Sequence, residues 1–82
     1  MNNNIDFRKA LGAVLREKRE EKELSQIYIA ELFGISKNHV SNWELGKRKI
    51  YAEQLVDYCR ILGIKVQDAL DLADEYMKYM EN

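Results

Sequence analysis

The 82-residue chain has no proline, one cysteine, one histidine and four glycines. Each shortage excludes something. Without proline, and with so few glycines, long irregular segments lack the residues that usually build them. The chain therefore reads as helices joined by tight turns. A lone cysteine, Cys59, cannot close an internal disulfide. One cysteine and one histidine also fall short of a zinc ligand set. Neither a metal nor a cofactor is expected. No apolar run approaches the roughly 18 residues of a membrane-spanning helix. The opening stretch, Met1-Asn2-Asn3-Asn4-Ile5-Asp6, is polar and holds no signal-peptide core. The expectation is a cytoplasmic chain with Cys59 reduced. No nucleophile–base grouping and no Gly-rich phosphate loop stands out, so an enzyme is not expected.

What is present suits one small domain. Hydrophobic residues make up 46% and charged residues 33%, with a mean hydropathy of −0.51. That is enough apolar matter for a core and too much for a disordered tail. The net charge of −1 hides a gradient. Residues 1–50 hold ten Lys+Arg against seven Asp+Glu, and residues 51–82 hold three against seven. A phosphate-binding surface needs local positive charge rather than a basic total. The first part of the chain has it.

Apolar spacing predicts five helices and no strand. The first covers about 6–22, with Phe7, Leu11, Val14, Leu15 and Lys18 on one stripe and Asp6 as a cap. Ser25 caps a second over about 26–33, closed by Gly34. Ser36 caps a third over about 37–45, closed by Gly46. A fourth covers about 52–62, carrying Leu55, Cys59 and Leu62, and Gly63 closes it. The fifth runs over about 66–80. The expected organisation is a flexible segment 1–5, a helix-turn-helix domain 6–64 and a C-terminal helix 65–82 packed on that domain.

The second and third helices are short and joined by a turn with a glycine, a helix-turn-helix pattern. Ala30 is small enough for the next helix to cross closely. Gly34 enters the turn conformation without a Cβ penalty. Val40 faces into the angle, and Ile35 plugs the turn. An αα-corner that binds nothing is the bland alternative, and the combination of these residues argues against it.

The stretch from Leu15 to Gly63 resembles the lambda-repressor-like, Cro-like (XRE) helix-turn-helix family. The matching elements are Leu15-Arg16-x-x-Arg19, Leu24-Ser25-Gln26, Ala30-x-x-x-Gly34-Ile35-Ser36, Val40-Ser41-x-Trp43-Glu44-x-Gly46-Lys47-Arg48 and Leu62-Gly63-Ile64. The resemblance implies an all-α, five-helix, lambda-repressor-like DNA-binding domain whose second motif helix enters the major groove. It implies a regulator that binds double-stranded DNA, often as a dimer on a palindromic operator. It also implies a phosphate or base-edge contact from Gln26 and an ion pair between Arg19 and Glu44. The chain departs from the family pattern at several places. Glu23 stands where a turn glycine is usual, Ile27 and Tyr28 replace an acidic pair, Ile50 replaces a proline, and Ala52 replaces a hydroxyl cap. Glu20, Glu21 and Glu23 bring negative charge to an edge expected to face phosphate.

The third helix can also be read directly. Stepping about 100° per residue places Lys37, Ser41, Leu45, Asn38 and Asn42 on one side. Val40, Trp43 and Glu44 fall on the other. Asparagine pairs bidentately with adenine, lysine donates to guanine, and serine touches base or phosphate. Lys37, Asn38, Ser41 and Asn42 are therefore the candidate base readers. A merely solvated polar face is the competing view. His39 lies on the boundary as a backbone contact. Ser36, Gln26 and the loop Lys47-Arg48-Lys49 complete the candidate backbone contacts, because helix N-termini and cations favour phosphate.

In the last helix, apolar residues fill about half the circumference, more than the stripe of roughly 100° that one core requires. Leu72, Tyr76, Tyr79 and Met80 are taken as a homodimer interface. Two recognition helices about 34 Å apart would then read an inverted repeat. Among regulators, a phage-type repressor, a restriction–modification controller and an antitoxin stay open. The rival class is a protein-interaction module of the same fold acting through a protein partner.

Overall fold

The computed structural model describes residues 3–80, with side chains from 7 to 79. Five helices follow one another: α1 (Asn3–Glu21), α2 (Gln26–Phe33), α3 (Lys37–Glu44), α4 (Ala52–Leu62) and α5 (Val66–Met80). Among the described residues there is no strand. None of these helices is long and apolar enough to cross a membrane. α1 begins at Asn3 rather than Asp6, so Asp6 lies inside the helix and residues 3–5 belong to it. Apolar spacing carries no information about a polar first turn. The expectation of flexibility at residues 1 and 2 lies outside the described residues.

The helix ends follow local chemistry. Ser25 and Ser36 take extended backbone, and their hydroxyls accept from the N–H groups of Tyr28 and His39 at 3.0 and 3.1 Å. Each satisfies one orphan donor of its helix. α4 has no hydroxyl cap. Instead the Gln54 side chain reaches back and accepts from the Tyr51 N–H at 3.1 Å. α1, α2, α3 and α4 end in one common motif. The N–H after the turn residue bonds a carbonyl five positions back: Leu24 to Arg19, Ile35 to Ala30, Lys47 to Asn42 and Ile64 to Cys59. This closure places its turn residue in left-handed backbone. Gly34, Gly46 and Gly63 hold that position in three cases; in the fourth it is Glu23, at φ 58°.

α1 is the hub, packing most extensively on α5 and also against α3 and α4, while α2 packs on α3. The core holds Val14, Leu15, Ile29, Val40, Trp43, Tyr58, Leu62, Ala69 and Ala73. Each large side chain so buried contributes about 1.5–3 kcal/mol. Ala69 and Ala73 are fully buried in the middle of α5. Leu72, Tyr76 and Met77 pack partly buried against the same core. Much of the wide apolar arc on α5 is thus covered within the subunit. The helix packs on the domain as expected, and it needs a wider apolar arc than one supporting face because it meets both α1 and α4.

Candidate nucleic-acid interface

The geometry of α3 starts from what holds it. Val40, Trp43 and Glu44 are buried on its inner side. Trp43 meets Phe33 edge-on at 5.2 Å between ring centroids and His39 at 4.9 Å. Its indole Nε1 has no acceptor among the described residues. Gly12 sets the distance between α1 and α3. A Cβ at that position would lie 2.5 Å from the carbonyl oxygens of both Trp43 and Glu44. Only a glycine in mid-α1 lets the end of α3 come this close. The sequence reading missed Gly12, although a glycine inside a helix is itself a signal, since it weakens the helix by about 1 kcal/mol.

Beneath α3 lies a buried polar cluster. Arg19 Nε donates to Glu44 Oε2 at 2.7 Å, and a second guanidinium nitrogen donates to Oε1 at 2.9 Å. The third nitrogen donates to the Leu24 carbonyl at 2.7 Å. This bidentate fork fixes the end of α3 to α1 and to the turn after it. Two further donors converge on the same carboxylate, Gln26 Nε2 at 2.9 Å and the Tyr58 hydroxyl at 2.7 Å. Burial pushes the Glu44 carboxyl up, but the bonds from Arg19, Gln26 and Tyr58 outweigh it and hold the carboxyl below its ordinary range. Arg19 is raised, chiefly by its bond to Glu44. Tyr58 is raised, by burial first and by its bond to the carboxylate second. The sequence reading also missed Tyr58, which shares a helical stripe with Leu55, Cys59 and Leu62.

The outer side of α3 is open. Lys37 and Asn38 are exposed, and Ser41 and Asn42 are half-buried. None of these four side chains bonds another described residue, so the two amides are available. Leu45, 47% exposed, lies on the same side. His39 is half-buried against Trp43; desolvation first, and Arg48 second, lower its imidazole. Lys47, Arg48 and Lys49 are exposed in the following loop, with the Lys49 ammonium 6.0 Å from the centre of the Tyr51 ring. Ser36 stands exposed at the N-terminus of α3. Gln26 is half-buried and turned inward onto Glu44. One of its amide hydrogens is therefore engaged, and only the other is left for an outside acceptor. Of the acidic residues at the end of α1, Glu20 pairs with Arg16 at 3.3 Å and Glu21 with Lys18 at 3.4 Å.

At the far end, Leu72 and Tyr76 pack partly buried against the core and keep some exposed surface, with the Tyr76 hydroxyl donating to Glu17. Tyr79 is 80% exposed. The Met80 side chain lies outside the described residues. Among the described residues, no cluster of His, Cys, Asp or Glu has the makings of a metal site.

A family model described as Helix-turn-helix matches residues 15–68. Among solved structures the chain is similar to the clp gene regulator ClgR from Corynebacterium glutamicum. One ClgR structure superposes with a TM-score of 0.86 at 33% identity, covering 92% of this chain and 80% of that one. A second gives 0.80 at 35% identity, covering 87% and 92%. No curated protein matches the chain.

Proposed function

The chain belongs to the XRE-type helix-turn-helix family of DNA-binding transcriptional regulators, and from that premise we propose that it acts as a homodimer reading an inverted-repeat operator through the major groove. The observation that carries this reading is the outer side of α3, where Asn38 and Asn42 stand with unengaged amides between a capped helix start and a loop of three cations. Lys37, Asn38, Ser41 and Asn42 read base edges. Leu45 adds an apolar contact suited to a thymine methyl. Ser36, His39, Lys47, Arg48 and Lys49 grip the backbone, and Gln26 adds its remaining amide hydrogen there. These contacts supply affinity, and the face of α3 supplies discrimination.

The buried cluster serves this role by rigidity. With Arg19, Gln26 and Tyr58 all donating to Glu44, α3 is held before DNA arrives. Less ordering then remains to be paid on binding. The dimer contact runs along α5 over the half-buried Leu72 and Tyr76 to the exposed Tyr79, with Met80 beside it in the sequence. The similarity to a regulator of clp genes supports a role in gene control.

A second reading, docking on a protein partner, is supported by α2. Ile27, Tyr28 and Leu32 are about half exposed on that short helix. The two readings separate cleanly. Selection from a randomised duplex pool returns palindromic sites under the first, and sedimentation gives a dimer at micromolar concentration. Under the second, selection returns no enriched site, and changing Asn38 and Asn42 to alanine leaves partner capture intact.

A further inference from the structure

We propose that the cavity between α1, the basic loop, α4 and α5 binds a small amphiphilic carboxylate, with the tail on its apolar floor and the head held by Arg8 and Lys49. The cavity has a volume of about 340 Å³, at the small end of the range for small-molecule sites. Its floor is Leu11 and Leu55, both buried, and its walls are the partly buried Phe7, Ile50 and Leu70. Such a surface favours an apolar tail over water. Among the described residues, the remaining lining groups are two cations, Arg8 and Lys49, with no carboxylate beside them.

That charge pattern selects the ligand. Three other cavities of the molecule each carry at least one acidic residue in their lining: Asp68 and Asp71 in one, Asp57 in another, and Glu17, Glu20 and Glu44 in the third. The chain has more acidic than basic residues, yet both charges among the described residues of this lining are positive. Arg8 makes no ion pair or hydrogen bond with any described residue. Among the described residues Lys49 has only its contact over Tyr51. A guanidinium beside an apolar cavity is a fork for a carboxylate head, and the concave floor accepts a single chain rather than a flat surface. A consequence follows if the DNA-binding reading holds. Lys49 would then serve both the ligand head and a DNA phosphate, so occupancy weakens DNA binding.

The direct test is amide NMR on the full chain, titrated with decanoate below its micelle concentration. Decanol and inorganic phosphate are run in parallel. Saturable shifts confined to Phe7–Leu11, Lys49–Ile50, Leu55 and Leu70, with one decanoate per chain, support the proposal. Arg8→Gln should weaken decanoate by about tenfold while leaving decanol unchanged. Leu70→Phe, which narrows the cavity and spares both cations, should weaken both. Shifts that never saturate, that spread over the whole surface, or that phosphate alone reproduces would overturn it. Competition with DNA is a separate arm. If decanoate saturates the cavity without reducing DNA affinity, the backbone role of Lys49 fails and the cavity stands.

Discussion

The Tyr58 hydroxyl donates to Glu44 Oε2 at 2.7 Å, the same oxygen that accepts from Arg19 Nε. One carboxylate oxygen thus joins α1, α3 and α4. A hydrogen bond to a charged group contributes about 1.5–3 kcal/mol. Tyr58→Phe keeps the ring against Trp43 and Phe33 and removes only the hydroxyl. It should destabilise the domain by about that amount, read from urea unfolding. Combined with Glu44→Gln, the two losses should fall well short of additive, because the amide no longer carries the charge that strengthens the hydroxyl bond. Additive losses would show that the hydroxyl does not draw its stability from the Glu44 charge.

Acid should expose the same carboxylate. An unfolded glutamate titrates near ~4.3, and folded Glu44 is held lower. The unfolded state therefore takes up the proton first as pH falls. The Glu44 contribution is fully present above the unfolded value and is lost as pH drops through the folded one. Unfolding midpoints of the wild type should fall faster between pH 5 and about 2 than those of Glu44→Gln. The variant starts less stable at neutral pH, since it leaves Arg19 buried without its counter-charge. Parallel acid profiles would count against the linkage.

Gly12 makes an opposite-signed test of helix propensity. Alanine in a helix interior is favoured over glycine by about 1 kcal/mol. Here the added Cβ meets backbone oxygens of Trp43 and Glu44 at 2.5 Å, and backbone cannot swing aside. Gly12→Ala should destabilise by about 1–3 kcal/mol net and lower DNA affinity by displacing the end of α3. A gain in stability would mean that α1 and α3 are farther apart than described.

Glu23 offers the reverse case. It takes φ 58° where its three counterparts are glycine. Left-handed backbone costs a non-glycine residue about 1–2 kcal/mol, and part of that gain is offset by the greater freedom of an unfolded glycine. Glu23→Gly should stabilise by about 0.5–1 kcal/mol, and Glu23→Asn by less, measured as melting temperature.

Much of the architecture is legible because its signals are local. Ser25, Ser36, Gly34 and Gly63 each mark a helix end by their own chemistry, and α2, α4 and α5 span the residues that periodicity assigns. What escaped needs a third dimension. Gly12 matters only because α3 crosses there, 31 residues from Trp43 in sequence. Tyr58 looks like any core aromatic until its hydroxyl is seen to meet Glu44. Gln26 is half-buried and bonded inward, which its place at a helix start does not reveal. Leu72 and Tyr76 read as surplus on a single helix, and how far each is buried shows only when α1 packs on α5.

Reading and gripping should separate in the binding data. Asn38 is exposed on the outer side of α3, whereas Arg48 lies exposed in the loop beyond it. If Asn38 meets a base edge, Asn38→Ala costs about 1–3 kcal/mol on the preferred site and relaxes the preference at one position of each half-site. Its effect on unrelated duplex is small, and the salt slope is unchanged. If Arg48 meets a phosphate, Arg48→Ala weakens every sequence alike and lowers the salt slope by about one counterion per site. Titrating both variants against preferred and scrambled duplexes at several salt concentrations gives all four numbers. An Asn38 variant that loses affinity equally on both duplexes would move Asn38 from reader to backbone contact, and the discriminating contacts would then have to lie at Lys37, Ser41, Asn42 or Leu45.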